Sequence, residues 1–301
     1  MENVKDKLII TAASVSFGKS LLALLGSLNL NWPDHPEVLV YDIGLDDDTR
    51  EILIRNKINL KKVPPFCPHW RKYFTWKIWC INDAPAKDIV WMDAGLIVLK
   101  PLNEIFHFID KLGYFLVPNY QLLDWEASEN SCLGCKVSKD FRIGKPTLAG
   151  GLMGFRKENV VEEILAEALE VALVEKNMIS THPAHRHDQA VFSLLFYKHY
   201  EFPLFSDGQI FLGWKSPNQV PGQKVWVHRR KLHSDDIEHF SKYIKDEGDP
   251  HFPVDVTLNI DNEMHHDKGK SRYIEKLIKK SFNKSNQKSK KTENIISGMR
   301  D

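Results

Sequence analysis

The chain has 301 residues, with 41 Lys and Arg against 40 Asp and Glu and a net charge of +1, so no global positive field points to nucleic acid. Apolar residues make up 43% and charged residues 27%, the balance of an ordinary globular protein, and the length suffices for one large α/β domain or two small ones. One stretch departs from this average: from Lys268 to Asp301, eleven Lys and Arg face three Asp and Glu, which suggests an end that meets an anionic surface or is simply solvated.

Taken from the start, Met1 to Lys7 leads directly into Leu8-Ile9-Ile10, too short an apolar core for a secretory signal. No apolar run reaches the roughly 18 residues that span a bilayer. Four cysteines, two of them in Cys132-Leu133-Gly134-Cys135, fit a reducing compartment, and a single such pair lacks the four ligands of a structural zinc site. Cytoplasm is the expectation.

Leu8 to Ala13 reads as a buried strand, and Phe17 to Leu28 as a helix with Leu21, Leu22, Leu24, Leu25 and Leu28 at helical spacing. Val38 to Asp42 is a second strand, Asp46 to Asn56 a second helix, and Leu60 to Val63 a third strand cut off by Pro64-Pro65. Tyr73 to Ile81 is an aromatic-rich helix before a fourth strand, Ile89 to Asp93. This alternation predicts βαβ units and a mostly parallel central sheet flanked by helices. In such sheets ligands bind at the carboxyl ends of the strands. Thr11-Ala12-Ala13, Asp42 and Asp93 all fall there, so one cleft is expected to gather them.

The second half has a different texture. Tyr114 to Pro118 is a candidate strand, Asp124 to Lys145 is polar with little periodicity, and Pro146 to Phe155 is a glycine-punctuated strand or turn region. Asn159 to Lys176 is an amphipathic helix burying Val161, Ile164, Leu165, Ala168, Leu169, Ala172 and Leu173. A helix over 188–200 and a late strand over 225–228 follow. Beyond about residue 266 apolar content thins, predicting a short helix over 272–282 and then disorder. The expected organisation is one domain over 1–265, with a nucleotide-binding half (8–102) and an acceptor- and sugar-binding half (103–265), then a basic tail over 266–301.

The segment Trp91-Met92-Asp93-Ala94-Gly95-Leu96-Ile97-Val98-Leu99-Lys100-Pro101-Leu102 resembles the Asp-x-Asp strand of nucleotide-sugar glycosyltransferases with the GT-A-type fold, in the neighbourhood of the glycogenin-like and mannosyl-type families. The likeness covers roughly residues 8–230. It implies transfer of a hexose from a nucleotide-diphosphate sugar, commonly a UDP-sugar, to a glycan, lipid-linked or other hydroxyl acceptor. Asp93 is then the centre of the donor site and, with Asp188, a candidate catalytic carboxylate. Asp188 in His187-Asp188-Gln189 matches a place where many relatives carry Asp-Gln against the donor sugar. It also suits a helix cap, and the two roles are compatible.

By the same resemblance Lys77 faces the donor, Arg71 and Lys72 being alternatives. Gly150 and Gly151, in Thr147 to Phe155, let the donor sugar sit against backbone, and His228 and Arg229 approach the diphosphate. Ala94 and Gly95 allow close approach of ligand to backbone. Families with Asp-x-Asp hold Mn²⁺ or Mg²⁺ between the carboxylates to neutralise the leaving diphosphate. Here Gly95 stands in place of the second acid. Asp93 with His228 then holds a metal weakly, or Asp93 contacts only ribose or sugar hydroxyls and basic side chains meet the phosphates. The same glycine favours a rival reading, a GT-A-shaped binding or scaffold protein without catalysis. A nucleotidyltransferase is disfavoured, because 11–19 is a poor match to a glycine-rich phosphate loop.

Overall fold

The computed structural model describes residues 5–179, 186–200, 203, 206–228 and 234–244. In chain order its strands are β1 (Lys5–Ala13), β2 (Val38–Asp42), β3 (Asn59–Lys62), β4 (Ala86–Met92), β5 (Leu96–Val98), β6 (Tyr114–Phe115), β7 (Pro118–Leu122), β8 (Pro146–Leu148), β9 (Leu152–Arg156) and β10 (Val225–Val227). The helices of the first half are α1 (Gly18–Asn31), α2 (Asp47–Arg55), α3 (Thr75–Asp83) and α4 (Asn103–Leu112). In the second half they are α5 (Leu123–Glu126), α6 (Glu129–Gly134), α7 (Asn159–Leu173), α8 (Glu175–Met178), α9 (His187–His199), α10 (Gly208–Phe211) and α11 (Ser234–Ser241).

Six strands form the central sheet in the order β3-β2-β1-β4-β9-β6. The first four in that order run parallel, whereas β9 lies antiparallel to both β4 and β6. The expected parallel sheet is therefore present, with one reversed strand that a composition of Leu, Met, Gly and Phe did not announce. The alternation within each strand explains why they read as continuous apolar runs. Ile9, Val40 and Val90 face a core with Leu21, Leu24 and Ile105 from α1 and α4. Ile10, Tyr41 and Trp91 face the other core, with Ile78 from α3, Ile164 from α7 and Phe192 from α9.

Local chemistry sets the element ends. Asp46 caps α2, its Oδ1 accepting from the Thr49 N–H at 2.7 Å, and Gly113 at φ 81° ends α4 in left-handed backbone. The helix expected from Tyr73 begins two residues later, because Tyr73 and Phe74 both lie at positive φ (56° and 55°). The expected strand at 114–118 divides into β6 and β7, which pairs with β8 instead. The amphipathic helix stops at Leu173, which is exposed.

Among the described residues there are two further small sheets, β7 with β8 and β5 with β10, the latter in the register Leu96 to Val227 and Val98 to Val225. The last described segment folds back on the first helix. A Cβ added to Gly26 on α1 would lie 1.7 Å from the carbonyl oxygen of Phe240 on α11. Asn29 Nδ2 donates to the carbonyls of Tyr243 at 2.7 Å and Ile244 at 3.3 Å. Among the described residues no helix is long and apolar enough to cross a membrane. The basic tail and the helix expected over 272–282 lie outside the described residues.

Candidate donor site

The carboxyl ends of β1, β2 and β4 lie side by side, since Ala13 pairs with Asp42 and Ile10 with Trp91. The loops beyond are stitched together by Ile43 N–H to Ala13 O at 3.1 Å and Val15 N–H to Gly44 O at 2.8 Å. The Thr11 side chain is enclosed, and Ala12 and Ala13 are buried as well, so their side chains do not present a surface. The accessible groups at this strand end are Ser14, Val15 and Ser16. Asp42 is also committed elsewhere. Its Oδ1 accepts from the N–H groups of Gly44 and Leu45, and its Oδ2 from Arg50 Nε, each at 2.7 Å. Burial works against its charge, yet Arg50 and these two N–H groups outweigh it and hold the carboxyl below its usual range. Asp42 thus shapes the loop after β2.

Asp93 follows β4 directly, and its side chain is 41% exposed. Trp91 Nε1 donates to its Oδ1 at 2.8 Å, and Lys77 Nζ lies 2.9 Å from the same oxygen. Its backbone N–H donates to Gly151 O at 2.8 Å. Lys77 reaches this point from the first turns of α3 with only 5% of its side chain exposed. Its ammonium also meets Asp188 Oδ2 at 3.2 Å and donates to Gly150 O at 3.1 Å. Burial opposes the ammonium, but the Asp188 and Asp93 carboxylates outweigh it and hold the pKa of Lys77 above the usual lysine range. One lysine therefore joins the end of β4, the β8–β9 turn and the first turn of α9, which bear three of the expected site segments. Lys77 and the two carboxylates sum to a single negative charge.

The two glycines lie against these acids. A Cβ at Gly150 would stand 3.4 Å from Asp188 Oδ2, and one at Gly151 would stand 3.4 Å from Asp93 Oδ2. Gln189 holds the turn from behind. Its Oε1 accepts from Gly150 N–H at 3.3 Å, while its Nε2 donates to Glu126 Oε2 at 2.7 Å and Thr147 Oγ1 at 3.5 Å. Gln189 supports the site rather than facing outward. Glu126, fully buried on α5, also accepts from Asn119 at 3.3 Å and sits 3.6 Å from Arg186. Burial raises its pKa despite these partners. Nothing in the polar stretch 124–145 had marked Glu126. Its one signal is the short run Leu123-Asp124-Trp125-Glu126-Ala127, with apolar residues on either side of the acid.

The segment 64–74 forms a further wall, running from the loop after β2 to α9. Arg71 lies by the loop after β2, where a Cβ at Gly44 would stand 3.6 Å from its Nη2. Its guanidinium covers Trp70, 4.7 Å from the ring centroid. At the other end, Tyr73 packs on His187 at 5.1 Å between centroids, and Phe74 lies 6.3 Å from the same ring. Two successive bulky residues in left-handed backbone cost on the order of 1–3 kcal/mol each.

Ala94 is buried and Gly95 opens on free space, with nothing within 4 Å of an added Cβ. His228 is tied to Gly95 by backbone, its N–H donating to Gly95 O at 3.3 Å. The ring is 1% exposed and packs edge-on against Trp226 at 6.1 Å. Neither ring nitrogen has a hydrogen-bond partner among the described residues, and burial pushes its pKa down to about 4. A neutral imidazole suits a metal ion, but the rest of the donor set does not. Asp93 Oδ1 already serves Lys77 and Trp91, position 95 has no carboxylate, and no group of three His, Cys, Asp or Glu clusters among the described residues. The described residues do not by themselves compose a divalent-ion site. Arg229 lies outside the described residues.

No protein-family model matches the sequence, and no curated protein does. Among solved structures the chain is similar to the galactosyltransferase LgtC in complex with donor and acceptor sugar analogs, with a TM-score of 0.51 at 14% identity over 79% of this chain and 95% of that one. It is also similar to the apo structure of WbbM, a bifunctional glycosyltransferase, with a TM-score of 0.57 at 13% identity. That likeness covers 82% of this chain and 50% of WbbM, so the chain spans half the length of the bifunctional enzyme. At such identities the likeness establishes the architecture: the fold is that of the GT-A glycosyltransferases.

Proposed function

We propose that this chain transfers a hexose from a nucleotide-diphosphate sugar, UDP being the expected nucleotide, to a hydroxyl of a glycan or lipid-linked acceptor. The observation that carries this reading is the Asp93–Lys77–Asp188 arrangement at the carboxyl edge of a GT-A sheet, the edge at which such sheets take ligands. Asp93, half-open to solvent with one oxygen fixed by Trp91 and Lys77, is suited to accept hydrogen bonds from donor hydroxyls. Asp188 is enclosed and faces Lys77, so it is assigned to orienting the sugar. The departing phosphate then accepts the acceptor proton, a part that a retaining route leaves open to it. The net negative charge of the three groups means that the diphosphate must be met from elsewhere. Arg71, beside the loop after β2, is the described cation assigned to it. Asp93 and His228, the pair expected to hold a divalent ion, fall short of a donor set for one among the described residues, so no step is assigned to a metal. The basic stretch 268–301 would favour an acceptor carried on an anionic membrane.

The test is a thermal-shift screen of UDP, GDP and ADP, with and without Mn²⁺, alongside hydrolysis of the corresponding nucleotide sugars, with Asp93→Ala as control. A shift for one nucleotide and slow donor hydrolysis, both lost in Asp93→Ala, are expected. A nucleotide shift with no turnover of any donor would favour the non-catalytic reading that Gly95 suggests. No shift and no turnover together would end the proposal.

A further inference from the structure

We infer that Phe74 is a stacking platform for a pyranose ring, and that the strained turn Tyr73-Phe74 exists to present it. This rests on the donor-site reading above. Three observations converge on it. Phe74 is 50% exposed although Lys77 and Asp188, beside which it stands, are buried. Its ring centroid lies 5.7 Å from Lys77 Nζ, the ammonium that joins Asp93 and Asp188. Its backbone, like that of Tyr73, is left-handed, a conformation that glycine adopts freely and an aromatic residue resists.

The turn is held in this state from all sides. Tyr73 is pinned against His187 and His69. The Thr75 N–H donates to Lys72 O at 3.1 Å, that of Trp76 to Trp70 O at 3.1 Å and that of Lys77 to Phe74 O at 2.9 Å. Strain of this kind persists where the surroundings over-determine it, and it concentrates at ligand sites. What the strain achieves is specific: the Phe74 ring stands half-exposed by the Lys77 ammonium, which Asp93 shares, while Lys77 itself stays buried.

The ligand that fits is a sugar. A pyranose has one face of C–H groups, which meets the negative face of an aromatic ring, and a rim of hydroxyls for carboxylates. Phe74 and Asp93 offer these two surfaces at one place. A nucleobase would also stack on an aromatic ring, but the same segment puts Arg71, not Phe74, at the loops after β1 and β2. Phe74 sits at the opposite end of the wall, by His187 on α9. The ring could be that of the donor or of the acceptor, and the experiment separates them.

The variant is Phe74→Gly, which removes the ring and relieves the backbone, with Phe74→Trp as the restoring substitution. In one arm UDP, UDP-glucose and UDP-galactose are titrated into each protein by calorimetry. In the other, methyl glucoside, methyl galactoside and lactose are followed by saturation-transfer NMR on the UDP-loaded protein. We expect Phe74→Gly to melt no lower than wild type and to bind UDP unchanged. It should lose roughly tenfold in affinity for a hexose, as UDP-sugar if the ring is the donor's or as free saccharide if it is the acceptor's. Phe74→Trp should restore it. Equal losses for UDP and UDP-sugars, or no loss in either arm, overturn the inference. Wild-type protein that binds no UDP would instead sink the donor-site reading itself.

Discussion

At the scale of single residues, Lys77 decides how the site is built. Its helix begins with Thr-Trp-Lys, and nothing in that triplet tells whether the lysine points to solvent or inward. Only the fold brings Asp93 and Asp188, 95 residues apart in the chain, to the same nitrogen. Removing the ammonium leaves Asp188 buried without its cation, so Lys77→Met is expected to lower stability by roughly 3–5 kcal/mol. Pairing it with Asp188→Asn should recover most of that loss, and urea denaturation of the single and double variants reads both. His228 gives a pH signature. Its folded pKa, about 4, lies below the ordinary histidine value of 6.5, so the unfolded chain binds the extra proton between these limits. Its contribution is fully present above pH 6.5 and declines as pH falls toward 4, by on the order of 3 kcal/mol across the whole window. Denaturation midpoints at pH 7.5, 6 and 5 should fall less steeply for His228→Phe than for wild type, and parallel slopes would refute this.

At the scale of elements, the runs that were easiest to read are those whose burial is two-sided. β1, β2 and β4 carry apolar residues on both faces, so short unbroken apolar runs placed them, and α2 begins where expected, at its capping aspartate. What the sequence left unread depends on pairing across distance. β9 looks like a turn because Gly154 sits in its middle; a Cβ there would meet Ile109 Cδ1 at 2.8 Å, so the glycine answers to packing by α4. Thr11 and Asp42 stand at the expected strand ends, yet enclosure and the Arg50 pairing turn them from ligand contacts into framework. The contact of α1 with α11 has the same character. An added methyl at Gly26 would overlap the Phe240 carbonyl, so Gly26→Ala is expected to displace α11, although alanine is the better helix former by about 1 kcal/mol. Limited proteolysis should then cleave within 234–244 at a protease concentration that leaves wild type intact there.

At the scale of the whole molecule, the architecture was legible in the sequence, whereas the contacts that join Lys77, Asp93 and Asp188 were not. Position along a strand is a one-dimensional property, and the ends of β1, β2 and β4 were predictable from it. The wiring of Lys77 to two acids, and of Gln189 to Glu126, is three-dimensional and belongs to no local pattern. Charge distribution is the other global property, with eleven Lys and Arg between Lys268 and Asp301 and an acidic remainder. Near an anionic surface each such cation contributes about 1 kcal/mol, within a Debye length. The full chain is therefore expected to sediment with phosphatidylserine vesicles at low salt, and a chain ending at residue 267 to stay in the supernatant. Equal sedimentation of the two would remove the membrane from the account.

The clasp between α1 and α11 has a consequence for how the protein is made. During synthesis α1 leaves the ribosome some two hundred residues ahead of the segment that covers its glycine face. At roughly 5–20 residues per second, that face stays bare for tens of seconds while the sheet assembles around the other side of the helix. The donor-side framework can thus form while the chain is still growing, with the closing of α11 over Gly26 a late step in assembling the described fold.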